Sequence, residues 1–238
     1  SFAIIIGINE YTKSKPLRYA VKDAKDINKL LVNKFGFKEK NIRLLINNEA
    51  TLVSIKQTLY EVAGLAKEND RVLIYFSGHG QTIPAVESGM QIGYLIPVNG
   101  DIKDPTLNGI PMDDIFRICQ SKSKHMLFLM DACYSGLMAA APKGVKIIEA
   151  NDVEYISSKA KVSARQIITA GSAEQEAWES DELKHGVFTS NVLDALGNWE
   201  ADNINVDGYI TATELGEYLK KEVYLESRHR HKPLYLKD

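Results

Sequence analysis

The chain is poor in cysteine, in long apolar runs and in net charge, and each shortage removes a class of protein. Cys119 and Cys133 are the two cysteines among 238 residues, too few for the disulfide framework that staples small secreted domains. One sits in a helical pattern and the other in a turn, which points to a reducing, cytoplasmic setting. The longest apolar runs, such as Phe2 to Ile8 and Met126 to Met130, fall far short of the roughly 20 residues that cross a bilayer. No membrane partner is expected. Lysine plus arginine (29) nearly balances aspartate plus glutamate (31), for a formal charge of −2, so no net field favours nucleic acid. His125, His185, His229 and His231 show no metal-ligand spacing with cysteines or acids, and zinc catalysis is not expected. The short basic patch from Arg228 to Lys232 reads as a solvated turn. No basic leader region precedes the first strand-like run, although Ser1 suggests a natural start further upstream.

What is present is the composition of an ordinary globular protein, 45% apolar and 25% charged. Short, nearly continuous apolar runs rich in β-branched residues occur at Phe2–Ile8, Asn41–Ile46, Arg71–Phe76, His125–Asp131 and Gln166–Ala170. Runs that do not alternate belong to strands covered on both faces, hence to a mainly parallel sheet. Helical spacing fills the intervals at Tyr19–Phe35, Thr51–Lys67, Met112–Cys119 and Val187–Leu196. The predicted fold is therefore α/β, a three-layer αβα sandwich with helices on both faces, in one domain. A last helix, Thr211 to Tyr224, opens on a capping-box pattern (Thr211 and Glu214), and Pro233 suits an edge strand after it. Two stretches, Gln81 to Gly109 and Tyr134 to Arg165, lack clear periodicity and read as long functional or mobile loops.

In open α/β sheets the functional crevice forms beyond the carboxyl ends of the strands. Two such ends carry reactive side chains. The run Arg71–Phe76 leads into Ser77-Gly78-His79-Gly80, and the run ending at Met130 leads into Asp131-Ala132-Cys133. Were the two strands neighbours, about 4.8 Å apart, His79 and Cys133 would face one cleft. A thiol needs such an imidazole, both to become thiolate and to protonate a leaving amine. Backbone N–H groups of Gly80 and Cys133 are candidate donors to a tetrahedral oxyanion. Read alone, a cysteine such as Cys133 is more often a small buried hydrophobe than a nucleophile, as Cys119 is taken to be, and His79 is equally a turn residue.

The motifs YFSGHG (Tyr75–Gly80), GYLIP (Gly93–Pro97), GIPMDDI (Gly109–Ile115) and LFLMDACYSG (Leu127–Gly136) resemble those of the caspase, metacaspase and bacterial caspase-like (orthocaspase) family. LRYAVKDA near the start, and ITAGSAEQEAWE and HGVFT near the end, extend the resemblance over almost the whole chain. Caspases carry Gln-Ala-Cys with the histidine about 50 residues upstream. Here the spacing agrees, but Asp131 replaces the glutamine, as in the metacaspase branch.

The resemblance implies a cysteine endopeptidase that needs no cofactor for its chemistry and takes a protein or peptide substrate with Arg or Lys at the cleavage site. The basic side chain would be held by Asp23, Ser77 and Asp131. Each also has a plainer reading, Asp23 as a helix N-terminal carboxylate and Asp131 as a turn cap. Calcium is a candidate activator. Asn203, Asn205, Asp207, Gly208 and Glu214 fit the spacing of a calcium loop, but its first position is asparagine instead of the usual aspartate, and a turn followed by a capping box explains the run better. The Tyr134–Arg165 stretch, with Lys143, Lys146, Lys159, Lys161 and Arg165, is the expected site of self-cleavage. Regulatory domains or a partner protein are candidates to flank the fragment, and the alternative function is a catalytically silent caspase-like binding module.

Overall fold

In a computed structural model the chain is described over residues 1–84, 91–118, 121–132, 164–170, 178–202, 206–226 and 234–237. The elements in order are β1 (Phe2–Gly7), α1 (Ala20–Phe35), β2 (Ile42–Ile46), α2 (Leu52–Leu65), β3 (Arg71–Ser77), β4 (Gly80–Pro84), β5 (Gln91–Leu95) and a single turn α3 (Pro105–Asn108). There follow β6 (Ile110–Pro111), α4 (Met112–Ile118), β7 (His125–Asp131), β8 (Ala164–Thr169), β9 (Glu179–Ser180), β10 (His185–Gly186), α5 (Val187–Gly197), α6 (Ala212–Glu226) and β11 (Leu234–Lys237). The main sheet has the order β11-β8-β7-β3-β1-β2. Its inner pairs are parallel, and β11 runs antiparallel to β8 at one edge.

The strands read as unbroken apolar runs because both their faces are covered. Ile4, Ile6, Ile74, Phe76 and Met130 point one way, to Ile55, Leu59 and Val62 of α2 and Ile115 of α4. Ala3, Ile5, Leu73, Tyr75 and Leu129 point the other way, to Ala24, Ile27 and Leu31 of α1, Val192 of α5 and Leu219 of α6. Successive strand residues thus feed two cores, and the sandwich has the three layers expected. No helix among the described residues is long and apolar enough to cross a membrane.

Two expectations are corrected. The stretch from Gln81 to Gly109 is not a structureless loop, for β4, β5 and β6 form a small antiparallel sheet within it. Strands of 5, 5 and 2 residues leave too little alternation to be seen in sequence. Arg165 is not in an open loop either. It lies in β8, where its guanidinium donates to the carbonyls of Ser121 (3.1 Å) and Ser123 (3.4 Å). The remaining basic residues expected at self-cleavage sites (Lys143, Lys146, Lys159 and Lys161) lie outside the described residues.

The register brings three strand ends into a row. Gly7 pairs with Ser77, and Ser77 with Asp131. Helix α1 crosses directly over this row because Gly7 has no side chain. A Cβ there would lie 2.6 Å from the Ala24 Cβ and nearer still to the Ala20 carbonyl oxygen. Gly7→Ala should therefore push α1 off the sheet and cost about 1–3 kcal/mol, a fall in Tm of roughly 3–10 °C. Gly64→Ala, where the added carbon meets nothing within 4 Å, is the control in thermal unfolding and should not lower Tm.

Candidate active site

The end of β3 fixes the candidate base. The Gly78 amide donates to the Asp131 carbonyl at 3.2 Å, tying the turn to β7. The His79 amide donates to the Tyr11 hydroxyl at 2.7 Å, and the two rings lie 4.6 Å apart, tilted by 45°. Burial pushes the Tyr11 phenol above its usual range, so it stays a neutral partner. His79 Nε2 lies 2.7 Å from the carbonyl oxygen of Lys15. A carbonyl can only accept, which assigns the proton to Nε2 and leaves Nδ1 as the basic nitrogen of the neutral ring. Gly80 is buried and opens β4 opposite Leu95. Tyr11 and Lys15, both in the segment after β1, carried no signal in the sequence, since only the fold brings them to the histidine.

Asp23, in the first turn of α1, meets Ser77 and Asp131 at the ends of β3 and β7. All three are buried, at 1%, 4% and 4% exposure, and charged groups are almost never so buried without a counter-ion. The Ser77 hydroxyl donates to Asp23 Oδ2 at 3.5 Å. Asp131 Oδ2 accepts from Thr189 Oγ1 at 2.5 Å, and Thr189 in turn lies 2.6 Å from the Tyr75 hydroxyl. Thr189 has one proton and gives it to Asp131, so Tyr75 must be the donor in the second bond. Asp23 Oδ2 accepts from the Gly186 amide at 3.0 Å, and Oδ1 accepts from His185 Nδ1 at 2.5 Å. Gly186 sits between the carboxylates. A side chain there would collide with Asp131 and approach Asp23 Oδ2 to 3.2 Å.

Among the described residues neither carboxylate has a lysine or arginine partner, and the His185 ring, which carries charge only when protonated, is the one basic side chain on Asp23. The electrostatics follow. Burial, reinforced by the negative charge of Asp23, pushes the Asp131 carboxyl up to about 7, against the opposing bond from Thr189. Burial also raises Asp23, with the bonds from His185 and Gly186 acting the other way. The place where the strands end thus gathers two buried carboxylates with raised pKa and, among the described residues, no lysine or arginine partner.

Sequence reasoning singled out the two aspartates and the serine but missed what holds them. His185, Gly186 and Thr189 all come from the HGVFT run, noted only as an echo of the family. Glu179 on β9 anchors that run, since its carboxylate accepts from the amides of Arg18 (2.8 Å) and Tyr19 (2.7 Å) at the start of α1. A carboxylate is favourable there, where helix amides lack internal partners.

Cys133 and Cys119 lie outside the described residues, as do Asn203 and Asn205 of the calcium-like loop. The described part of that loop is occupied with its own backbone. Asp202 accepts from the amides of Asp207 (3.2 Å) and Gly208 (2.9 Å), and Asp207 from Tyr209 (2.9 Å). Glu214 accepts from the amide and hydroxyl of Thr211, both at 2.8 Å, while Thr211 accepts from the Glu214 amide at 3.2 Å. That reciprocal pair is a capping box.

Comparison with known proteins points the same way. The family model described as Caspase domain, Peptidase_C14, matches residues 1–235. Metacaspase-1 of Eremothecium gossypii is 26% identical over 190 residues, covering 72% of this chain and 41% of its own length. Metacaspase-6 of Arabidopsis thaliana is 31% identical over 143 residues, covering 56% of this chain and 38% of its own length. The chain thus spans about two fifths of these curated relatives. Among solved structures, a protein of Geobacter sulfurreducens superposes with a TM-score of 0.67 at 14% identity, covering 99% of this chain and 92% of that one. Pro-sf-caspase-1 gives 0.54 at 11% identity, covering 98% and 85%. These structural likenesses speak to the fold alone. The family match along residues 1–235 establishes that the chain belongs to the caspase-domain family, Peptidase_C14.

Proposed function

We propose that the chain is a cysteine endopeptidase that cleaves protein or peptide substrates after Arg or Lys, with Cys133 as nucleophile and His79 as base. The observation that carries this reading is the pair of buried carboxylates, Asp23 and Asp131, without a lysine or arginine partner among the described residues and close to His79 at the carboxyl ends of the strands. A guanidinium or ammonium ion entering that field gains charge-assisted bonds and relieves the repulsion between the two acids. A substrate carboxylate would be repelled.

In the chemistry proposed, His79 Nδ1 takes the thiol proton of Cys133, and the thiolate sulfur attacks the carbonyl carbon of the scissile bond. The Lys15 carbonyl at Nε2 holds the ring in the tautomer that leaves Nδ1 to accept that proton. The oxyanion accepts from the amides of Gly80 and Cys133. His79 then gives its proton to the leaving amine as the carbon–nitrogen bond breaks, leaving a thioester on Cys133. Water, deprotonated by His79, attacks the thioester and releases the carboxylic acid and the thiol. Calcium, suggested as an activator by the family resemblance, has no step in this sequence.

Three outcomes are expected. With fluorogenic peptides ending in Arg, Lys or Asp, Cys133→Ala should abolish turnover while Cys119→Ala leaves it within about twofold. Full activity in Cys133→Ala would mean that the nucleophile is misassigned. At pH 8, Asp23→Asn and Asp131→Asn should each lower kcat/KM for Arg peptides by roughly 10- to 100-fold, the effect of one charge-assisted contact, and neither should create cleavage after Asp.

The third outcome concerns pH. Asp131 holds its proton below about pH 7, and a substrate cation that pairs with it must displace that proton. KM for Arg peptides should therefore rise about tenfold from pH 8 to pH 6, and this rise should flatten in Asp131→Asn. The sign for stability is opposite to that of an ordinary salt-bridged acid. Because the folded pKa is above the unfolded value of 3.8, ionisation costs stability as the pH climbs from about 4 to 7, and the cost is complete above 7. Asp131→Asn should raise Tm by several degrees at pH 8 and by nearly nothing at pH 4. An equal effect at both pH values would contradict a raised Asp131.

A further inference from the structure

Resting on that reading of the pocket, we infer that His185 is a positioning residue for substrate specificity: as a neutral, Nδ1-protonated ring it aims Asp23 into the pocket without cancelling its charge. The ring lies between two groups of opposite demand. Its Nδ1 is 2.5 Å from Asp23 Oδ1, and its Nε2 is 2.5 Å from Lys22 Nζ, which also donates to Asp26 at 2.9 Å. An ammonium has donors and no acceptor, so Nε2 must accept and Nδ1 must carry the proton. The tautomer is set by the partner at the far nitrogen. Asp26 Oδ2, the nearest carboxylate to Nε2, is 3.7 Å away and out of hydrogen-bond range.

The bond from His185 occupies Oδ1 of Asp23. The other oxygen, Oδ2, is thereby held on the side of Ser77 and the Gly186 amide. His185 itself is fixed at both ends. It sits on β10, paired with β9, and Glu179 of β9 is bonded to the start of α1. The other charged groups around it are Asp131 across Gly186 and Asp194 on α5, within electrostatic reach. A lysine or arginine in the place of His185 would form an ion pair with Asp23 and use up the charge that a substrate cation needs. A residue with no donor would leave Asp23 free to turn. A neutral donor does neither, and a histidine whose outer nitrogen faces Lys22 is such a donor.

The test uses kinetics and histidine NMR on the same chain. His185→Ala should raise KM for Arg peptides about tenfold with kcat changed less than about twofold. His185→Asn, whose side-chain amide can replace Nδ1–H, should recover most of the loss, and His185→Lys should be worse than alanine. In ¹⁵N spectra of the inactive Cys133→Ala protein at pH 7.5, His185 should be the neutral Nδ1–H tautomer, and Lys22→Met should mix in the other tautomer. Cleavage after Arg with an unchanged KM in His185→Ala, an Nε2–H tautomer, an imidazolium, or a lysine variant as good as wild type would each overturn the inference alone. Absence of cleavage after basic residues by the wild-type protein would overturn the pocket reading first, and the inference with it.

Discussion

Two buried carboxylates that, among the described residues, have no lysine or arginine partner are the constraint around which the rest of the site is arranged. Isolated ionised groups in a protein interior cost several kcal/mol unless charge or hydrogen bonds compensate. Here compensation is partial. Asp131 has the Tyr75–Thr189 chain, and Asp23 has Ser77, His185 and the Gly186 amide. None of these donors is a lysine or an arginine. They satisfy oxygen atoms without removing charge, so a negative field remains at the mouth of the sheet. A fold optimised for stability alone would place an arginine there, or two apolar side chains.

The sheet topology makes this juxtaposition possible. Parallel neighbours end on the same side, so β1, β3 and β7 deliver Gly7, Ser77 and Asp131 in one row. Each end has a separate task. Gly7 admits α1 and with it Asp23, β3 continues into His79, and β7 supplies Asp131. The remaining parts arrive from far along the chain. The segment after β1 brings Tyr11 and Lys15 to His79, and the β9–β10 hairpin brings His185 and Gly186 to Asp23.

How much of this was legible in the sequence depended on how local each signal was. Strands covered on both faces betray themselves as apolar runs, so β1, β2, β3, β7 and β8 could be placed, as could all the longer helices. The capping box at Thr211 and Glu214 involves residues three apart and was equally readable. The short strands β4, β5 and β6 were not, because their period cannot be established over so few residues. Asp23, Ser77 and Asp131 were reached through family motifs; the structure adds that all three are buried and that the Ser77 hydroxyl donates to Asp23. Lys15 offers only its backbone carbonyl to His79, a contact that no side-chain pattern can announce. His185 was dismissed as a histidine without metal-ligand spacing, when its partner, Asp23, lies on a helix 162 residues earlier.

The central claim is that the pocket holds negative charge in reserve for a cation. It is tested most directly by following the carboxyl carbon of Asp131 in ¹³C NMR through a pH titration, with and without a peptide bearing a C-terminal arginine bound to the Cys133→Ala protein. The account expects Asp131 in the free protein to titrate near 7, far above an ordinary aspartate, and to drop by at least about one unit when the guanidinium is bound. An Asp131 that titrates near 4 in the free protein, or one that does not respond to the peptide, would contradict it.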